Sequence, residues 1–483
     1  MRHASRISIA SVVCAGLFAV AGLAQDPGAS AVASIDARAD HYARVARQIW
    51  DLAEVGYQEK ESSSLLQREL AAAGFAVEAG VAGMPTAFVA NFGSGKPVIG
   101  ILAEFDALPG ITQGDVPERM PIDHKAAGHA CGHHLFGTGS VAAAIAVKEW
   151  LEATGRPGTI RLYGTPAEEG GAGKVYMVRE GLFGDVDAVL HWHASDRNDA
   201  SPGSSLANKS AKFRFRGVSA HAAAAPERGR SALDGVEAMN HMVNLMREHV
   251  PEDTRIHYVI TSGGSAPNVI PDFAEVFYYV RHPDPRQVQE LFERVVKAAE
   301  GAATGTGTTM DYEVIHGIYA ILPNETLARV MDRHLRAVGG VTYTADERAF
   351  AEKLRESLPA DAPPIDAAGS IASFEIKEAG GSTDVADVSW VVPTTGLRAA
   401  TWVPGTASHS WQAVAAGGTS IGTKGMIVAA KTLTRTAIDL FSNVETLTRA
   451  TEEYRTRVGP DFTYVPLVGN RQPPLDYRGG GRE

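Results

Sequence analysis

Gly128-His129-Ala130-Cys131-Gly132-His133-His134 is the stretch on which the reading of this chain turns. Cys131 is one of only two cysteines, so it has no obvious disulfide partner, and a thiolate two residues from an imidazole suits a divalent transition metal. Working outward, Glu168-Glu169, His191-Trp192-His193 and a late His409 supply further carboxylate and imidazole ligands. Together they are enough for a paired-metal hydrolytic site, and the chain reads as an enzyme.

The segments around that stretch set the fold class. Residues 35–73 carry Tyr42, Val45, Ile49 and Leu52, then Leu65, Leu66 and Leu70, at the spacing of amphipathic helices. Short apolar runs over 86–92 and 98–102 read as strands, the second leading into Ala103-Glu104-Phe105-Asp106-Ala107-Leu108-Pro109-Gly110. Helical periodicity follows over 140–153. A buried strand is expected over 159–163, ending at Pro166-Ala167-Glu168-Glu169-Gly170-Gly171, and another over 186–192. Strands alternating with helices imply an α/β domain with a mainly parallel sheet, and ligands just past strand ends sit where such sheets bind them.

Between 208 and 317 the order changes to strand 211–216, helix 231–249, strands 256–261 and 275–281, helix 286–299 and strand 309–315. This βαββαβ order is ferredoxin-like. It divides the chain into a first catalytic part, 25–207, an inserted domain, 208–317, and a second catalytic part, 318–458, that supplies His409 and a helical run over 424–447. Residues 354–373, rich in Pro, Ala and Asp, are expected to form a loop. The tail, 459–483, is expected to be irregular and frayed.

Amide hydrolysis at neutral pH needs a strong nucleophile. Two metals about 3.5 to 4 Å apart can lower the pKa of a water between them while polarising the carbonyl. Cys131, His133, Glu169, His193 and His409 could supply five protein ligands and leave room for that water. Glu168, beside a proposed ligand, is suited to take the proton from water and deliver it to the leaving amine.

With Asp106-Ala107-Leu108-Pro109, Cys131-Gly132-His133, Glu168-Glu169, His193 and Ser408-His409-Ser410 in this order, the chain resembles the M20 metallopeptidase family, in its amidohydrolase branch. The resemblance covers nearly all of the chain beyond residue 24. It implies a two-metal catalytic domain with an inserted lid and dimerisation domain. It makes Cys131, His133, Glu169, His193 and His409 the ligands and Glu168 the general base; of the two histidines in His191-Trp192-His193, it places the metal at His193. His221, in Gly217-Val218-Ser219-Ala220-His221, resembles the residue that reaches into a partner subunit's site. Asn268 and Arg281 resemble residues that hold the substrate's carbonyl and carboxylate, and an Arg can grip a carboxylate through two parallel hydrogen bonds. These features imply cleavage of N-acyl or N-aroyl amino acids by a homodimer carrying two divalent ions per chain, zinc first, with manganese, cobalt or nickel also compatible.

Two positions depart from the branch's pattern: Ala130 stands before the cysteine and His134 after the second histidine. His134, His129 and His124 are spare imidazoles with no assigned metal. Asp106 reads either as an orienting partner of a ligand imidazole or as a turn residue. Asp384, in Gly381-Ser382-Thr383-Asp384, resembles a motif near the catalytic centre and also fits a helix start. A dipeptidase or carboxypeptidase is the neighbouring functional reading. A catalytically silent metal-site binding protein would have lost the base or a ligand, and all are present. A structural zinc site would need several closely spaced cysteines.

Arg2 and Arg6 precede an apolar run over 7–23, and Gly22-Leu23-Ala24 precedes Gln25, the pattern of a signal peptide spanning 1–24. The run is shorter and richer in Ala and Gly than the ~20 apolar residues of a spanning helix. The expected product is a secreted or periplasmic protein, with no membrane attachment once the signal is gone. A composition of 45% hydrophobic and 21% charged residues over 483 positions is that of a globular chain of two or three domains. The net charge of -11, without clustered Lys and Arg, argues against nucleic acid. A small-molecule N-acyl amino acid or a dipeptide is the expected partner.

Overall fold

The computed structural model describes residues 28–377 and 381–478. The signal-peptide reading over 1–24 lies outside them. Among the described residues no helix is long and apolar enough to cross a membrane.

The larger unit is built on a six-stranded sheet, ordered Ala76–Ala79, Phe88–Ser94, Gly158–Gly164, Val98–Ala103, Ala188–Ser195, Thr394–Ala400. The first three strands are antiparallel neighbours, and from Gly158–Gly164 to Thr394–Ala400 all are parallel. Val98–Ala103 is buried at every position, as expected of a central parallel strand covered on both faces.

The helix His133–Thr154 packs on this sheet and against Ser420–Ser442. It begins seven residues earlier than the periodicity over 140–153 suggests. Its first turns are buried on all sides, so they carry no amphipathic signal. Gly132 precedes it at φ 79, and a Cβ there would lie 2.4 Å from that of Ala194, so the turn into this helix requires glycine. The helix Ala39–Leu52 buries Tyr42, Val45, Ala46, Ile49 and Trp50; Leu52, read as part of that apolar face, is exposed.

The smaller unit is an antiparallel four-stranded sheet ordered Thr309–Ile318, Ala207–Arg216, Phe273–His282, Arg255–Ser262, which is the ferredoxin-like arrangement. Helices Ala232–Met246 and Pro285–Thr306 pack on it around Phe213, Phe215, Met239, Tyr278 and Phe292. Along Phe273–His282 every second residue is buried, the period of a sheet with one covered face. Helices Glu325–Val338, Ala345–Arg355 and Val444–Val458 complete the return of the chain.

The tail corrects the sequence reading. Beyond Val458 the described residues contain no helix or strand, yet they are not frayed. Leu467 and Val468 are 3% and 4% exposed, and the backbone of Leu467 packs on Gly317. Tyr464 donates to Asp387, and Gln58 donates to the carbonyl of Leu475. Turn-rich segments without a helical or strand period look disordered in sequence, because the surface they will cover belongs to other segments.

Candidate active site

The site forms at the carboxyl ends of the parallel strands. Val98–Ala103 delivers Glu104 and Asp106, Gly158–Gly164 delivers Glu168 and Glu169, and Ala188–Ser195 carries His193. Cys131 and His133 enter from the start of the long helix, and His409 from the turn after Thr394–Ala400. Ala167, Ala172 and His409 hold φ of 57, 55 and 59, a left-handed backbone uncommon outside glycine, clustered around these side chains.

Ligand atoms of Cys131, His133 and His193 lie within 4.8 Å of one another, as do those of Cys131, Glu169 and His409. Cys131 is common to both groups. A third such group joins Glu104, His133 and Glu168. All five proposed ligands and Glu168 are therefore brought together from positions 278 residues apart at the extremes, Cys131 to His409.

Second partners orient the imidazoles. Asp106 Oδ1 lies 2.8 Å from His133 Nδ1, and its Oδ2 accepts from the Glu169 backbone N–H at 2.9 Å, so Asp106 is an orienting residue. The carboxylate accepts, so a proton sits on Nδ1, and Nε2 faces the site, 3.1 Å from Glu104 Oε2. His193 Nδ1 donates to the Ala194 carbonyl at 2.7 Å, which likewise leaves Nε2 free, 3.4 Å from Cys131 Sγ. His409 Nε2 is 3.1 Å from Glu169 Oε1.

The electrostatics follow from burial. Burial, with His133 and Arg398 nearby, pushes His193 down to about 3, which keeps its imidazole neutral. Burial, then the carboxylates of Glu104, Glu169 and Asp384, holds Glu168 well above the usual carboxylate range. Burial pushes the Cys131 thiol up, against His133. His133 Nε2 faces Glu104 Oε2 and His409 Nε2 faces Glu169 Oε1, each at 3.1 Å, and the buried His133 Nε2, Glu104 Oε2 and Glu169 Oε1 meet no partner in hydrogen-bond geometry. Imidazole, thiol and carboxylate atoms that converge this closely without aligned hydrogen bonds are a donor set that fits divalent metals.

Other sequence candidates fall elsewhere. The rings of His129 and His134 lie tilted with centroids 4.8 Å apart and bond the carbonyls of Ile49 and Gly417, so they tie neighbouring helices to this turn. His191 is in none of the three ligand groups and packs against Gly396. Asp384 accepts from the backbone N–H and the Nζ of Lys174, at 2.9 and 2.7 Å, and makes no cap bond to its helix Val385–Ser389.

In the smaller unit, His221 is exposed, and its loop pairs with that of Asn268 through Ala222 N–H to the Asn268 carbonyl at 3.0 Å. Arg281 lies at the end of its strand, 3.5 Å from Ser382 Oγ, with a buried Nε lacking a partner. Among the described residues, no hydrogen bond or ion pair joins His221, Asn268 or Arg281 to the ligand groups.

Sequence reasoning missed Glu59, Glu104, Lys174, Tyr477 and Arg478. Glu59 accepts from Ala167 N–H at 2.8 Å, and Lys174 Nζ is 2.7 Å from Glu104 Oε1. A signal existed for Glu104, a charge at the end of an apolar strand, and for Lys174, a lysine among Val175, Tyr176 and Met177. None existed for the tail pair.

The chain matches the model of peptidase family M20/M25/M40 over residues 100–356. It is 39% identical to one of the subunits of the p-aminobenzoyl-glutamate hydrolase of Escherichia coli, over 91% of this chain and 97% of that protein. It is 29% identical to the mouse Xaa-Arg dipeptidase, over 88% and 91%. Its fold resembles that of a dinuclear metal-binding peptidase of the M20 family from Bacillus subtilis, with TM-score 0.58 at 17% identity over 84% of this chain and 99% of that one. The two-unit α/β architecture and the order of the site residues thus have one explanation: this chain belongs to peptidase family M20/M25/M40 and is an amidohydrolase.

Proposed function

We propose that the protein hydrolyses the amide bond of N-acyl or N-aroyl amino acids, compounds of the aminobenzoyl-glutamate type, with Glu168 as general base. The observation that carries this reading is Cys131 shared between two ligand groups, with Glu168 in the third group beside them. Cys131, His133, Glu169, His193 and His409 would hold two divalent ions, zinc first and manganese next, which supply Lewis-acid polarisation of the scissile carbonyl and acidify water.

Asp106 keeps His133 in the tautomer whose Nε2 faces the site. Glu168 takes the proton from the attacking water and passes it to the nitrogen of the departing amine, for which a raised carboxyl pKa is suited. Arg281, with donors to spare, reads the carboxylate of the amino-acid half. Asn268 and His221 support the carbonyl, His221 from a second copy of the chain, so the active species is a homodimer. The protein acts after export, in a periplasmic or extracellular space.

A panel of N-acyl, N-aroyl and dipeptide substrates, assayed with and without chelator while bound metal is counted, tests this reading. Chelator-sensitive cleavage of aroyl-amino acids supports it. Cleavage confined to dipeptides would instead favour the dipeptidase reading, which has behind it the likeness to the Xaa-Arg dipeptidase along most of both chains. Activity of a sedimenting monomer would remove His221 from its role.

A further inference from the structure

We propose that the C-terminal segment over 464–478 is part of the active site, with Tyr477 and Arg478 as positioning residues for Glu169. This rests on the reading of Glu169 as a metal ligand.

The path of the segment is the first observation. Arg471 pairs with Glu313 at 2.9 Å and bonds the Ile315 carbonyl, both on a strand of the smaller sheet. The Arg471 carbonyl accepts from Arg179 of the larger unit at 2.6 Å. The chain then runs past Gln58 and ends against the turn that carries Glu168 and Glu169.

The second observation is the convergence on one acceptor. Tyr477 Oη donates to the Glu169 carbonyl at 2.9 Å, and Arg478 Nη2 donates to the same oxygen at 2.7 Å. On its other side, the Glu169 backbone N–H is held by Asp106. The peptide groups flanking this residue are therefore fixed from both directions, and with them the direction of its side chain toward His409 and Cys131.

The third observation is that neighbouring residues make room for the pair. A Cβ on Gly56 would lie 2.2 Å from Tyr477 Oη. Tyr57 meets the Tyr477 ring edge-on at 5.7 Å and donates to the Gly171 carbonyl at 2.8 Å, which secures the same turn two residues on. The Arg478 guanidinium lies 4.9 Å from the Tyr477 ring centroid. Mere anchoring of a tail does not call for two donors on the carbonyl of one half-buried acidic residue.

The test is calorimetric titration of Mn²⁺ into the metal-stripped full chain, for the native protein and for Tyr477→Phe, Arg478→Ala and Arg478→Lys. Tyr477→Phe keeps the ring and removes only the hydroxyl. Its apo Tm should fall by no more than about 1–2 °C while affinity at one of the two ions falls about 3- to 10-fold, the scale of a lost hydrogen bond. Arg478→Ala should weaken the same ion, and Arg478→Lys, which retains a donor, should recover part of the loss. In each weakened variant kcat should fall with KM little changed. Native affinities for both ions in Tyr477→Phe and Arg478→Ala overturn the proposal. A native protein that binds no Mn²⁺ overturns the reading of Glu169 itself, a result distinct from equal binding by all four proteins.

Discussion

Replacing Lys174 with Met should destabilise the larger unit in a way that depends on pH. Lys174 is fully buried, and its Nζ lies 2.7 Å from both Glu104 Oε1 and Asp384 Oδ1, each of which is 1% exposed. One ammonium therefore compensates two buried carboxylates. Methionine matches the stem and removes the charge, leaving Asp384 without its ammonium and Glu104 with only His133 beside it. Breaking a buried pair from one side costs about 3–5 kcal/mol. That is a large share of the ~5–15 kcal/mol of a typical fold, and corresponds to a Tm lower by on the order of 5–10 °C. Burial already raises Glu104 against the pull of Lys174, and without the lysine this carboxyl will be raised further. A carboxyl whose folded pKa lies above its unfolded value costs stability at high pH, and the cost vanishes as pH falls through the folded pKa. The deficit should thus be largest near pH 8 and shrink toward pH 5. Thermal unfolding of metal-stripped native and variant proteins at both pH values measures it. A variant within about 1 °C of native at pH 8, or one with the same deficit at both, would refute the reasoning.

Glu168→Gln should retain metal and lose ~10²- to 10⁴-fold in turnover; near-native activity would take the base role away from Glu168. Because Glu168 is held above the usual carboxylate range by burial and its acidic neighbours, the native kcat/KM should fall as pH drops through that raised value. An acid limb at ordinary carboxylate pH in the kcat/KM profile would contradict this. Cys131→Ser should lower metal stoichiometry on elemental analysis, since Cys131 belongs to two ligand groups, and unchanged content would exclude it as a ligand. Asp106→Asn should weaken metal affinity by ~10- to 100-fold by loosening His133, with unaltered titration curves as the contrary result.

The legible part of this protein was local. Fold class came from alternating apolar runs and from the βαββαβ order, and both sheets formed as those periods imply. Cys131, His133, Glu168, Glu169, His193 and His409 stood out because imidazole, thiol and carboxylate side chains at strand ends are costly to place without a use. The start of the long helix at His133 was not legible, since a helix buried on every side shows no stripe. Nor were the partners behind the ligands. Glu104, Lys174 and Asp384 meet only because a strand end, a helix and the start of a second helix converge from distant positions, and their charges are tolerable only in one another's company. Whether Asp106 orients His133 or merely turns the chain was decided by a 2.8 Å contact. The tail shows the division most plainly: its sequence carries no helical or strand period. Its order comes from surface supplied by distant segments, among them Gly317, Asp387, Gln58, Tyr57 and the Glu169 turn, so only the assembled tertiary structure could reveal that Tyr477 and Arg478 meet that turn.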